Sequence, residues 1–224
     1  MGRIGAPEAA SCLPRGRRFS CLDRVRAPLP LAGLEVGTRD LFWVELSTGS
    51  GQVGVLSALS EPLPVGWGQP DDVRSWDLGV LGKALSRLRA RSSARPYLAM
   101  GLGDADVQVQ TLDAGWAPRA SDGQALPEEL CWDVAQGPSG AQLISTPRTV
   151  VLTLQALAES AGLELAVLET REAAQHRGLD WLQQQAQVEG QMAPSHSSGS
   201  SGIQHHATAI GLALRRFQPW GTAC

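Results

Sequence analysis

The hydrophobic pattern starts near Leu29. Before it, residues 1–28 carry Arg, Gly and Pro without periodicity and read as a disordered tail. Residues 29–36 are a short apolar run, the pattern of a buried strand. Residues 40–47 (DLFWVELS) and 52–59 follow as two more strands rich in bulky side chains. Gly37-Thr38 and then Thr48-Gly49-Ser50-Gly51 supply turns between them, so the three strands are expected to form an antiparallel meander.

The period then changes from two to 3.6. Ser75 and Asp77 open a helix with Leu78, Leu81, Leu85 and Leu88 on one face. Its Lys83, Arg87, Arg89 and Arg91 suit the C-terminal end of the helix dipole, which makes them a solvated face before a nucleic-acid patch. Strands are expected over 97–102 and over 107–112 (VQVQTL), which alternates cleanly. Two more, 130–135 and 142–145, flank the turn Gly137-Pro138-Ser139-Gly140. A helix over 149–161 closed by Gly162, a strand over 163–168 and a helix over 171–187 complete the pattern. Residues 190–202 turn to Gly, Pro, Ser and His and read as a linker. Residues 207–217 (ATAIGLALRRF) return to helical spacing as a short amphipathic helix, expected to pack back on the body.

With 224 residues, 43% of them hydrophobic, the chain has ample material for a core. A formal net charge of −3 gives no general attraction to nucleic acid or anionic lipid. No stretch approaches the ~20 apolar residues that span a bilayer, and Arg15, Arg17 and Arg18 precede no apolar signal core, so a cytoplasmic location is expected. Cys12, Cys21, Cys131 and Cys224 show no metal or disulfide spacing, and Cys131, between Leu130 and Trp132, reads as a small buried hydrophobe.

Three segments in this order resemble the PilM (HofM-like) family of type IV pilus assembly proteins. Gly33-Leu34-Glu35-Val36-Gly37-Thr38, then Phe42-Trp43-Val44-Glu45-Leu46, is similar to the family's opening hairpin, and Glu61-Pro62-Leu63-Pro64 to its following turn. Pro147-Arg148 leading to Glu159-Ser160-Ala161-Gly162-Leu163 resembles a second family segment, and Gly211-Leu212-Ala213-Leu214-Arg215 its terminal helix. The resemblance covers residues 31–217.

The family is built like actin and the cell-division protein FtsA, with two lobes closing on ATP and a small inserted domain. The resemblance therefore implies an α/β (α+β) fold with an actin-like first lobe. It places that lobe's first part at 29–103, the insertion at 104–168, a returning helix at 169–189, a flexible linker at 190–206 and a terminal helix at 207–224. The family's second nucleotide-binding lobe has no counterpart in the pattern, because residues 190–202 run straight to the terminal helix. The terminal helix is expected to dock on the first-lobe sheet in its stead. The insertion is short as well, with a loop over 113–129 where the family has a long charged helix.

Glu35, Gly37 and Thr38 fall on the family's first phosphate loop. Glu35 stands where the family has Asp, and its longer side chain displaces any metal-bound water; the alternative is a cap on the hairpin turn. A triphosphate needs two converging loops, so no cofactor and no catalytic residue are expected. What the resemblance implies instead is a scaffold that binds the cytoplasmic tail of a PilN-like inner-membrane protein. The groove for it would lie near residues 107–116 and the 149–162 helix. A reduced ATPase completing its site by oligomerisation is the alternative.

Other chemistry is weaker. His196, His205 and His206 lie in or beside the linker and lack the fixed geometry of a zinc site. Residues 101–106 (GLGDAD) are followed by no helix and lack the remaining ligands of a calcium loop, so they read as a turn into the insertion. No G-x-S-x-G elbow is present. Of seven tryptophans, Trp43, Trp67, Trp76 and Trp116 flank turns and are candidate partner anchors.

Overall fold

The structure is a computed structural model that describes residues 31–49, 52–92, 97–112, 129–137, 140–192, 206–215 and 217. Strands β1 (Leu31–Val36), β2 (Asp40–Gly49) and β3 (Gln52–Pro62) form the expected antiparallel meander. Helix α1 (Leu78–Arg91) starts on Asp77, whose Oδ1 accepts from the N–H groups of Gly79 and Val80, both at 3.0 Å. It carries the chain back to β4 (Tyr97–Leu102), which pairs parallel with β1.

A small sheet follows, with β5 (Gln108–Thr111), β6 (Leu130–Gly137) and β7 (Gly140–Pro147) in the order β5-β7-β6, all antiparallel. Helix α2 (Arg148–Ser160) begins directly where β7 ends. Gly162 then takes φ +68°, the left-handed conformation that closes a helix at little cost for glycine. Strand β8 (Leu165–Thr170) runs into α3 (Arg171–Met192), and α4 (Ala207–Leu214) is the final described helix.

The main sheet has five strands in the order β3-β2-β1-β4-β8. β8 pairs parallel with β4, so it belongs to the main sheet and not to the insertion over 104–168 expected from sequence. α2 belongs there too, because Val150, Leu154, Leu157 and Ala158 are buried in one core with Trp43, Leu81, Leu98 and Met100. The inserted unit is thus the small sheet alone. α3 reaches Met192, past the expected start of the linker, and residues 1–28 and 193–205 lie outside the described residues.

Alternation along β1 sends Ala32, Leu34 and Val36 to the core under α1 and α2, and Leu31, Gly33 and Glu35 to the other face. That face is covered by α4. All eight residues of α4 are buried, which corrects the amphipathic reading. The physical reason is a second cover: α4 lies between the sheet and α3, and a helix apolar all round needs neighbours on both sides. Three glycines permit this spacing. A Cβ on Gly33 would overlap the Ala209 carbonyl, one on Gly211 the Ala174 carbonyl, and one on Gly178 the Ala207 carbonyl.

Candidate functional site

The three residues matched to the family's phosphate loop sit at the C-terminal end of β1, on the edge where β4 and β8 also end. This is where ligands bind in open α/β sheets. Gly37 and Thr38 form a tight turn, with the Gly37 N–H donating to the Asp40 carbonyl at 2.9 Å. A Cβ on Gly37 would stand 2.9 Å from the Phe42 ring, so glycine is needed there for packing. The turn is pinned from behind. Trp67 Nε1 donates to the Thr38 carbonyl at 3.0 Å and the Leu63 N–H to the Arg39 carbonyl at 2.7 Å. Thr38 is exposed and Gly37 half-buried.

Glu35 turns to the start of α4. Its carboxylate takes hydrogen bonds from the Thr208 side chain and the Ala209 backbone N–H, so it caps that helix instead of the hairpin turn. Burial pushes its pKa up, and the Thr208 bond, the Arg171 charge and the Ala209 N–H only partly oppose this. One oxygen, Oε2, is buried without a hydrogen-bond partner. Beside it Phe42 meets the His206 ring edge-on, with centroids 4.9 Å apart and an 83° interplanar angle. Arg171, whose charge acts on Glu35, is engaged with Asp71 and donates to the Pro70 carbonyl at 2.8 Å.

The second candidate region is the one that the family resemblance places near residues 107–116 and the 149–162 helix, of which 113–116 lie outside the described residues. Every residue of β5 is exposed, Val109 by 54%, and α2 presents Leu152, 53% exposed. A shallow hollow of about 460 Å³ lies elsewhere, between α1 and α2 around Gly79, Gly82 and Ser160, on the sheet face opposite Glu35.

No protein-family profile matches the sequence, and no curated protein matches it. Among solved structures the chain is similar to a chain of the PilM-PilN type IV pilus biogenesis complex. The TM-score is 0.55 at 20% identity, covering 70% of this chain and 52% of that one. The fold is the actin-like α/β fold of that relative, the family whose motifs the sequence resembles, and the chain spans about half of the relative's length. A further similarity, to the cytoplasmic domain of EpsL, an inner membrane component of the type II secretion system of Vibrio cholerae, has a TM-score of 0.42. It shares 13% identity over 64% of this chain and 56% of that one, a likeness too low to build on.

Sequence reasoning misplaced the tryptophans. Trp43, Trp67 and Trp76 are 0%, 3% and 8% exposed, so they are core and not partner anchors; Trp116 lies outside the described residues. The reason is that each indole N–H finds an internal acceptor, Glu45 Oε1, the Thr38 carbonyl and the Gln69 carbonyl respectively, which removes the cost of burial. His196 and His205 are likewise outside the described residues, and no metal-holding group occurs among those described.

A buried ionic knot went unseen. Glu169, at the end of β8, accepts from Arg177 through both oxygens at 2.7 Å, and Arg215 Nε stands 3.6 Å away. Arg177 also donates to the Gly211 carbonyl at 2.7 Å, which ties β8, α3 and α4 together. Its one sequence signal was a pair of charges, Glu169 and Arg177, eight residues apart across a strand-to-helix junction.

Proposed function

We propose that the chain is a cytoplasmic scaffold component of a type IV pilus assembly machine that binds the cytoplasmic tail of a PilN-like inner-membrane protein. The observation that carries this reading is the fold shared with a chain of the PilM-PilN complex. We place the tail beside Val109 of β5 and Leu152 of α2, the exposed apolar side chains of those elements. No helix among the described residues is long and apolar enough to cross a membrane, in keeping with attachment through a partner. The engagement of Glu35 with Thr208 and Ala209 favours a scaffold over a reduced ATPase, because the carboxylate is committed to the protein's own helix.

The test is fluorescence anisotropy with a labelled synthetic peptide of the cytoplasmic tail of the PilN-like protein from the same organism. Micromolar binding is expected, weakened at least tenfold by Val109→Asp or Leu152→Asp, since a charge is introduced into an apolar contact. No binding to the unsubstituted chain defeats the scaffold reading, and binding unchanged in both variants moves the groove elsewhere.

A further inference from the structure

The small sheet joins the main body through a narrow neck. One side of the neck is the turn of 3-10 helix Asp104–Asp106, between β4 and β5, and the other is the junction of β7 with α2 at Pro147 and Arg148. The two sides are cross-tied. The Thr146 hydroxyl donates to the Asp106 backbone carbonyl at 2.7 Å, and both residues are buried, at 7% and 2% exposure.

Asp106 also binds the main body. Its Oδ2 accepts from the Val73 N–H at 2.8 Å, in the 3-10 turn Val73–Ser75 that precedes α1. Gly103, whose carbonyl takes the Asp106 N–H at 3.0 Å, lies so near the same loop that a Cβ would stand 2.6 Å from the Asp71 Cα. Asp71 and Pro70 are in turn held by Arg171 at the start of α3.

We propose that Asp106 and Thr146 form a proton-sensitive clasp that sets the angle of the small sheet to the main sheet. The geometry is unusual for a mere space-filler. Asp106 Oδ1 is buried with no hydrogen-bond partner, a position where an ionised carboxylate is costly. Burial pushes the Asp106 pKa up; the Val73 N–H opposes this, the charge of Asp72 adds to it, Arg74 opposes it and Asp71 adds again. Asp71 is itself partly neutralised by Arg171. A proton on Asp106 relieves both the desolvation and the repulsion, so the clasp closes more firmly as pH falls. If the partner lies between β5 and α2, the clasp sets the width of its groove. That consequence rests on the function proposed above; the clasp itself does not.

Hydrogen exchange followed by mass spectrometry on the full chain, corrected for intrinsic rates at pH 4 and pH 7, tests it. Asp106→Ala and Thr146→Val should each speed exchange in β7 about tenfold, leaving β1 and β4 unchanged. Asp106→Asn keeps an acceptor for the Val73 N–H, so it should retain protection of β7 and abolish the greater protection expected at pH 4. Thr146→Val removes only a hydroxyl, and it decides the matter if Asp106→Ala fails to fold. Faster exchange throughout both sheets would make these ordinary core residues and overturn the clasp, as would unchanged protection of β7. A pH difference that survives in Asp106→Asn overturns its proton sensitivity.

Discussion

The stack of β1, α4 and α3 and the neck of the small sheet hold their parts together in opposite ways. In the stack, Gly33, Gly211 and Gly178 bring three backbones so close that no Cβ fits, and Ile210, Leu212 and Leu214 are shut away from water. Cohesion there comes from area and close packing, roughly 2 kcal/mol for each large side chain buried. At the neck, Asp106 and Thr146 supply a few directed hydrogen bonds, each contributing about 1 kcal/mol net. Packing of the first kind has no intermediate setting, whereas a contact built on an ionisable group can be tightened by one proton and loosened by its loss. The difference assigns rigidity to the main sheet and adjustability to the small one.

The comparison is broken most severely by removing α4. Truncation after Gly202 should uncover the faces of Leu31, Val44, Leu46 and Ala99, an apolar area above roughly a few hundred Å², and the chain should aggregate. Gly211→Val, which leaves the helix in place but drives a side chain into the Ala174 carbonyl, should cost about 3 kcal/mol. Size-exclusion chromatography with thermal melting checks both, and a monomeric truncated chain with an unchanged melt would show that α4 is dispensable.

A somewhat smaller loss is expected from the ionic knot. Glu169→Gln leaves Arg177 without a charged partner next to the Gly211 carbonyl, and breaking so buried a pair should cost about 3 kcal/mol or less, read from urea unfolding at neutral pH. An unchanged midpoint would mean that the stack is held by packing alone.

The smallest effect sharpens the comparison from the other side, since Glu35 is an ionisable group inside the rigid stack. Its folded pKa lies above the unfolded one, so between the two values the folded chain binds more protons. Stability from this group is present in full below the unfolded pKa and is lost as pH rises through the folded pKa. Glu35→Gln should therefore melt at a higher temperature than the parent at pH 7 and show a flatter dependence between pH 4 and pH 7. Parallel curves for the two proteins would place the charge of Glu35 in water.

Local signals carried much of the fold. Strand β4 was legible over its full length because an apolar run bounded by turns needs no distant partner to be read. Asp77 and Gly162 mark a helix start and a helix end through bonds and dihedrals confined to a few residues. The family's opening hairpin was equally visible in residues 33–46, since its register follows from one turn.

Other features depend on which element covers which, and residue period does not encode that. β8 looked like a strand from sequence, but only its parallel pairing with β4 puts it in the main sheet. Residues 207–214 have an apolar composition on every side, a sign of full burial that spacing alone read as one-sided; the presence of α3 across from the sheet decides it. Glu35 is the clearest case. The sequence determined a carboxylate at the end of a buried strand, where the resemblance implies a phosphate loop. Only the tertiary structure decided its role, by bringing Thr208 and Ala209 across more than 170 residues of chain to meet it, because hydrogen bonding and burial are properties of neighbours in space.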